Sequence, residues 1–309
     1  RRRFFYQSST MAKLSTNTVY RPDYYRMNVV SGEWTYRWQT SPTSKPKFSP
    51  LTVKYQFTKT LSSRLDSLMA ENLYLVGMME DMFVPQMRYT YIYTSPSSCL
   101  NPIRWEFTLA ESGNLLSLGM MAAGKDWNEV GKKLFKTSYA QFLKFETDFR
   151  KTWTLDLNSQ LLAHVNAGII YNYGNSDYIP FSEQFYVGGA NSLRAFPIRG
   201  IGPGGVANSG DNQLNYIFNN GNIKLVANLE YRRRIFGSLS AALFLDAGNV
   251  WNYNVNVGDD EAIRNFLEPG IFRFDRFYRQ IAVGTGFGIR YDLDFLVIRL
   301  DWGVGLHLP

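Results

Sequence analysis

The stretch from Phe295 to His307 constrains this chain more than any other. Leu296, Ile298, Leu300, Trp302, Val304 and Leu306 fall on one face, while Phe295, Val297, Arg299, Asp301, Gly303, Gly305 and His307 fall on the other. A period of two with every charge on one side describes a β-strand lying between an apolar and a polar medium. The preceding stretch repeats the pattern: Ile281, Val283, Thr285, Phe287, Ile289 and Tyr291 alternate with Gln280, Ala282, Gly284, Gly286, Gly288, Arg290 and Asp292. The polar face there is nearly bare, which leaves room for something to lie against the wall.

The same alternation recurs upstream. It is read from Leu239, from Ile223, and around Leu161, Leu143, Ile103, Met87, Leu51 and Trp34, with a vaguer strand near Ser15 to Tyr20. About eleven strands are visible in this way. Charged pairs such as Lys144 with Glu146, and Arg104 with Glu106, sit on the polar face throughout. In lipid each such charge would cost about 2–4 kcal/mol at the bilayer midplane.

Composition separates a membrane barrel from a soluble β-protein. Aromatic residues are 16% of the 309-residue chain, yet mean hydropathy is −0.24. No stretch approaches the roughly 18 apolar residues of a membrane helix. Alternating lipid-facing and lumen-facing residues reconcile the two, because they cancel in any average. A soluble sandwich or lipocalin-like barrel would turn the apolar face inward. Long strands with Trp and Tyr at their ends fit membrane girdles better. The expected fold is therefore all-β, a transmembrane antiparallel β-barrel with long extracellular loops, one of them folded inward.

Connections alternate in length, as that fold requires. Short turns are expected around Ser95–Asn101, Asp156–Ser159, Phe236–Ser238 and Tyr291–Asp294, and long loops over Thr60–Glu80, Gly119–Thr137, Gly174–Gly221 and Asn252–Phe277. Leu65, Leu68, Met69 and Leu73 have helical spacing and predict a loop helix within Leu61–Glu80.

Net charge is +7, but the basic residues are scattered singly along the strands, which argues against nucleic acid as a partner. Cys99 is the single cysteine, and His164 and His307 lie in different strands, so neither a disulfide framework nor a zinc site is indicated. No cofactor, metal or catalytic residue is expected, and the chain is not read as an enzyme. It opens on Arg1, Arg2 and Arg3 without a signal-peptide pattern, so a mature portion of a longer protein is expected.

One long loop is unlike a solvated surface segment. From Glu183 to Gly205 it reads EQFYVGGANSLRAFPIRGIGPGG, rich in glycine and poor in charge. The two strands after it each carry one carboxylate on the polar face, Glu230 and Asp246. If the loop folds inward, Arg194 can meet both, and its fork of donors suits two carboxylates. The loop motif is taken as Ser192, Leu193, Arg194, Ala195, Phe196, Gly202, Pro203 and Gly204. Its expected docking wall is Glu230, Phe244, Asp246, Gly284, Gly286 and Gly288.

These features resemble the BamA/TamA superfamily of outer-membrane insertases and translocases. An inward loop with an Arg-Gly-Phe or Arg-Gly-Tyr core is its hallmark, and Arg194, Ala195 and Phe196 occupy that core, with alanine in place of glycine. The run from Phe185 through Gly204 looks most like the TamL subgroup, a lipoprotein form of TamA in Bacteroidetes-type bacteria. FLDAGNVW and GTGFGIRYDLDFLVIRLDWGVGL fit the superfamily equally well.

The resemblance implies a barrel of 16 strands preceded by periplasmic POTRA domains. Residues 1–309 would then be one incomplete barrel, without those domains, the first strands and the last. It also implies a bacterial outer-membrane location, outer-membrane lipid and protein clients as partners, and a TamB-like periplasm-spanning protein. The function implied is a translocation and assembly factor that aids delivery or insertion of outer-membrane proteins or lipids. A BamA-type insertase and a passive porin are the alternatives.

Overall fold

Alternation sets the architecture. The computed structural model describes the chain except residues 1–6, 23, 61–64, 66–68, 70–72, 207–216, 254–260 and 294. Its strands are β1 (Gln7–Arg21), β2 (Tyr25–Gln39), β3 (Lys47–Thr60), β4 (Met82–Thr94), β5 (Ile103–Ser112), β6 (Lys133–Leu134), β7 (Thr137–Tyr139), β8 (Phe142–Thr154), β9 (Ser159–Asn172), β10 (Ile223–Phe236), β11 (Leu239–Trp251), β12 (Ala282–Asp292) and β13 (Val297–His307). Eleven of them form one path, each antiparallel to its neighbour, in the order β1-β2-β3-β4-β5-β8-β9-β10-β11-β12-β13. These are the strands that the period of two picks out. The short β6–β7 hairpin branches off beside β4.

The two faces differ as a membrane wall requires. On β11, outward Leu243 is 62% exposed, while inward Ala242, Phe244 and Asp246 are 2%, 3% and 0% exposed. Outward aromatics stack on one another, as Phe287 on β12 does with Trp302 on β13 at 5.0 Å. Such a face is stable only against lipid, and the ladder behind it satisfies the backbone where no water is available.

β1 and β13 are the two edges of the sheet, and they do not pair among the described residues. The resemblance implies 16 strands; the described sheet has 13. Between its edges the wall curves around an interior. Residues of β3, β8, β10, β11 and β13 all touch one loop.

Short turns at 40–46, 95–102, 155–158, 237–238 and 293–296 lie at one end of the wall, and long loops at 61–81, 113–141, 173–222 and 252–281 at the other. The connection at 22–24 is the exception, short although it lies on the long-loop side. In the loop after β3, helix α1 spans Leu73–Met79. Leu65 and Met69 of the expected helical stripe pack into a cluster with Tyr25, Met78 and Phe181, and Leu68 lies outside the described residues. Two further helices, α2 (Asn114–Ala122) and α3 (Glu261–Leu267), sit in later long loops.

Candidate functional site

The loop between β9 and β10 turns inward because its apolar residues have a core to join. Phe185, Val187, Leu193 and Ile201 are buried with Val226, Val250 and Ala282 of the wall. Its glycines permit the path. Gly188 has φ +101°, and a Cβ there would fall 2.0 Å from the Pro197 carbonyl oxygen, so only glycine lets the loop fold on itself. Backbone bonds then close it: Gly189 N–H donates to Phe196 O at 2.8 Å, and Arg199 N–H to Val187 O at 2.9 Å.

At the tip, Arg194 meets both carboxylates. Its backbone N–H and Nε each donate to Asp246 Oδ2 at 2.9 Å, and Nη2 donates to Asp246 Oδ1 at 2.7 Å. Nη1 donates to Glu230 Oε2. The guanidinium lies 3.7 Å above the centre of the Phe244 ring, a cation–π contact at a largely buried side chain. Asn228 Nδ2 ties the group together, donating to Asp246 Oδ1 at 2.8 Å and to Ser192 O at 2.7 Å. The Arg194 side chain is 7% exposed and that of Asp246 0%, so each charge depends on the other. Glu230 is shared: Arg232 Nε donates to it at 2.5 Å and Arg290 Nη2 at 3.3 Å.

The remaining loop residues dock as follows. Leu193 is fully buried. Ala195 and Phe196 lie against a wall without side chains: a Cβ on Gly284 would fall 2.5 Å from Ala195 Cβ, one on Gly303 2.9 Å from Ala195 Cα, and one on Gly305 2.9 Å from the Phe196 ring. Two glycines expected in that wall have residues of the wall itself as their nearest neighbours. Gly286 lies under Phe244, and Gly288 beside Arg290 and Asp301. Gly303 and Gly305, on the neighbouring strand, have the loop as their nearest neighbour. Further along, Gly202–Pro203 is a cis bond, and Gly204 pairs with β11: its N–H donates to Val250 O at 2.7 Å, and Asn249 Nδ2 donates to Gly204 O at 2.8 Å. Pro203 packs at Gly270.

A second fastening was absent from the sequence reading. Glu183, at the start of the loop, accepts from Lys54 Nζ at 2.5 Å and from Lys144 Nζ at 3.4 Å. Burial pushes the Glu183 carboxyl up, but the Lys54 and Lys144 ammonium groups outweigh it and hold it at about 2. Lys144 thus turns to the loop and not to Glu146, which accepts from Lys224 at 2.8 Å. Lys144 and Lys224 also flank the Phe185 ring, at 4.9 and 4.7 Å. A lysine on the polar face reads as solvated unless its distant partner is known, so alternation could not reveal this pair.

A curved antiparallel wall with a lipid-compatible exterior and a charge-locked loop inside defines an outer-membrane barrel with an inward-folded loop. The Omp85 superfamily domain matches residues 106–308, from β5 to β13, and the chain belongs to that superfamily. It is similar to the sorting and assembly machinery component 50 homolog A of Xenopus laevis, at 28% identity over 163 residues, 52% of this chain and 32% of that protein. Its fold is similar to that of Haemophilus ducreyi BamA lacking POTRA domains 1–3, with a TM-score of 0.63 at 14% identity, covering 98% of this chain and 58% of that one. The chain therefore spans about a third of the one relative and little more than half of the other.

Proposed function

We propose that this barrel serves as an outer-membrane translocation and assembly factor of the TamA/TamL kind, aiding delivery or insertion of outer-membrane proteins or lipids. The observation that carries the reading is the Arg194 lock on Asp246 and Glu230, which holds a loop across the lumen. A passive porin needs an open polar constriction there. The work assigned to the loop is mechanical: it braces the wall and carries out no bond chemistry. Residues 1–309 are read as one bacterial outer-membrane barrel domain, whose partners are outer-membrane lipid, protein clients and a TamB-like periplasm-spanning protein.

The test is reconstitution of the full-length protein in liposomes with an unfolded outer-membrane client. Wild type should accelerate protease-protected insertion, and Arg194→Ala should lose most of that acceleration while remaining membrane-embedded. Steady, large single-channel conductance from wild type without insertion activity would establish the porin instead. Crosslinking in cells separates the finer alternatives, since capture of a TamB-like protein fits the TamA/TamL role and its absence from an insertion-competent complex fits a BamA-type insertase.

A further inference from the structure

A second compartment of the lumen lies between the inward loop and the short turns. A chamber of about 540 Å³ is lined by residues of the turns at 155–158 and 237–238 and of nearby strand ends, Asp292 and Val297 among them. A further space of about 420 Å³ lies toward the loop, and Arg232 and Arg299 line both. Arg234 and Arg290 join them in the outer part, and Arg150 in the inner part.

The accessible charge on this wall is mostly cationic. The side chains of Asp246, Glu230 and Asp301 are 0%, 9% and 12% exposed, whereas those of Arg299, Arg232 and Arg150 are 35%, 40% and 58% exposed. The largely buried Arg290 and the exposed Asp292 line the chamber as well, so its lining carries four guanidinium groups, of Arg232, Arg234, Arg290 and Arg299, against one carboxylate. A guanidinium has five N–H donors, and Arg232 gives only Nε to Glu230. Arg234 forms no ion pair among the described residues. Convergent donors at an aqueous mouth make an anion-recognising surface. Asn158, Gln160, Ser238 and Ser240 line the same chamber and can hydrogen-bond an extended backbone, while Leu157 and Val297 are too few to house acyl chains.

We infer that this arginine-walled chamber is a docking site for an acidic, extended peptide segment that enters from the short-turn side. In outer-membrane barrels that side faces the periplasm. The inference stands apart from the assembly-factor reading, because peptide binding and client insertion are separate measurements.

The experiment uses the full-length protein in nanodiscs and a short fluorescent peptide rich in Asp and Glu, with its Asn/Gln counterpart as control. The acidic peptide should bind, and more weakly at high salt, and the amide peptide should not. Arg234→Glu should lower affinity about tenfold or more, and Arg234→Lys should retain most of it. Should charge reversal prevent folding, Arg234→Gln is read in its place. Equal binding of both peptides, or unchanged affinity in a natively folded Arg234 variant, would overturn the site. So would saturable binding of inorganic phosphate or anionic vesicles with no binding of the acidic peptide.

Discussion

The inward loop is fastened at two points of opposite polarity. At Glu183 the loop supplies a carboxylate to lysines of β3 and β8. At Arg194 it supplies a guanidinium to carboxylates of β10 and β11. The fastenings also differ in rigidity. Lys54 and Lys144 remain 20% and 17% exposed and can turn toward water, whereas Asp246 is wholly enclosed and its partners are set by a planar fork. Two charge pairs of opposite sense pull the loop against different parts of the wall, so a loss at one end should not be repaired by the other.

Breaking the enclosed end should have the largest effect. Asp246→Ala strands Arg194 and Asn228, and is expected to cost about 3–5 kcal/mol in urea unfolding followed by tryptophan fluorescence. In a cycle with Arg194→Ala the double variant should be little worse than either single, because both remove one unit. Full additivity of the two would mean that the residues act independently.

Glu183→Gln should cost less, about 1–3 kcal/mol, since the lysines can rehydrate. Its signature is in pH. The folded carboxyl is held at about 2, below its ordinary value of 4.5, so its contribution is fully present above that value and is lost as pH falls toward 2. The wild-type profile should slope down through that window, and the Glu183→Gln profile should be flatter there. Superimposable slopes would remove Glu183 as a fastening.

The smallest effects concern the wall beside Ala195. Gly284→Ala places a Cβ against that of Ala195 and should cost about 1–3 kcal/mol by overpacking. Adding Ala195→Gly should restore most of the loss, as a shift in the apparent unfolding midpoint reports. No rescue would mean that the close approach at Gly284 is not what holds the loop's register.

Much of this was legible because a period of two reports which face a residue occupies. Arg194, Asp246 and Glu230 could be brought together on that basis. Alternation does not report how far along the lumen a residue sits. The β12–β13 ladder shifts register between Val283 and Gly284 and sets Gly305 opposite Gly284 and Gly303 opposite Gly286. That stagger brings β13 glycines to the loop and leaves Gly288 beside Arg290. Glu183 was hidden for a related reason, since Lys54 lies 129 residues away and only strand curvature joins them. The two- and three-residue strands β6 and β7 are too short to show any period.

The facing glycines of β12 and β13 also bear on how the wall deforms. Two cross-strand glycine pairs contribute no side-chain contact on the inner face, so bending resistance there comes from the backbone ladder and from whatever leans on it. Ala195 and Phe196 are what leans on it. Changes in curvature will concentrate in this compliant panel, and the loop, pinned elsewhere, is placed to stiffen it as a strut stiffens a thin plate.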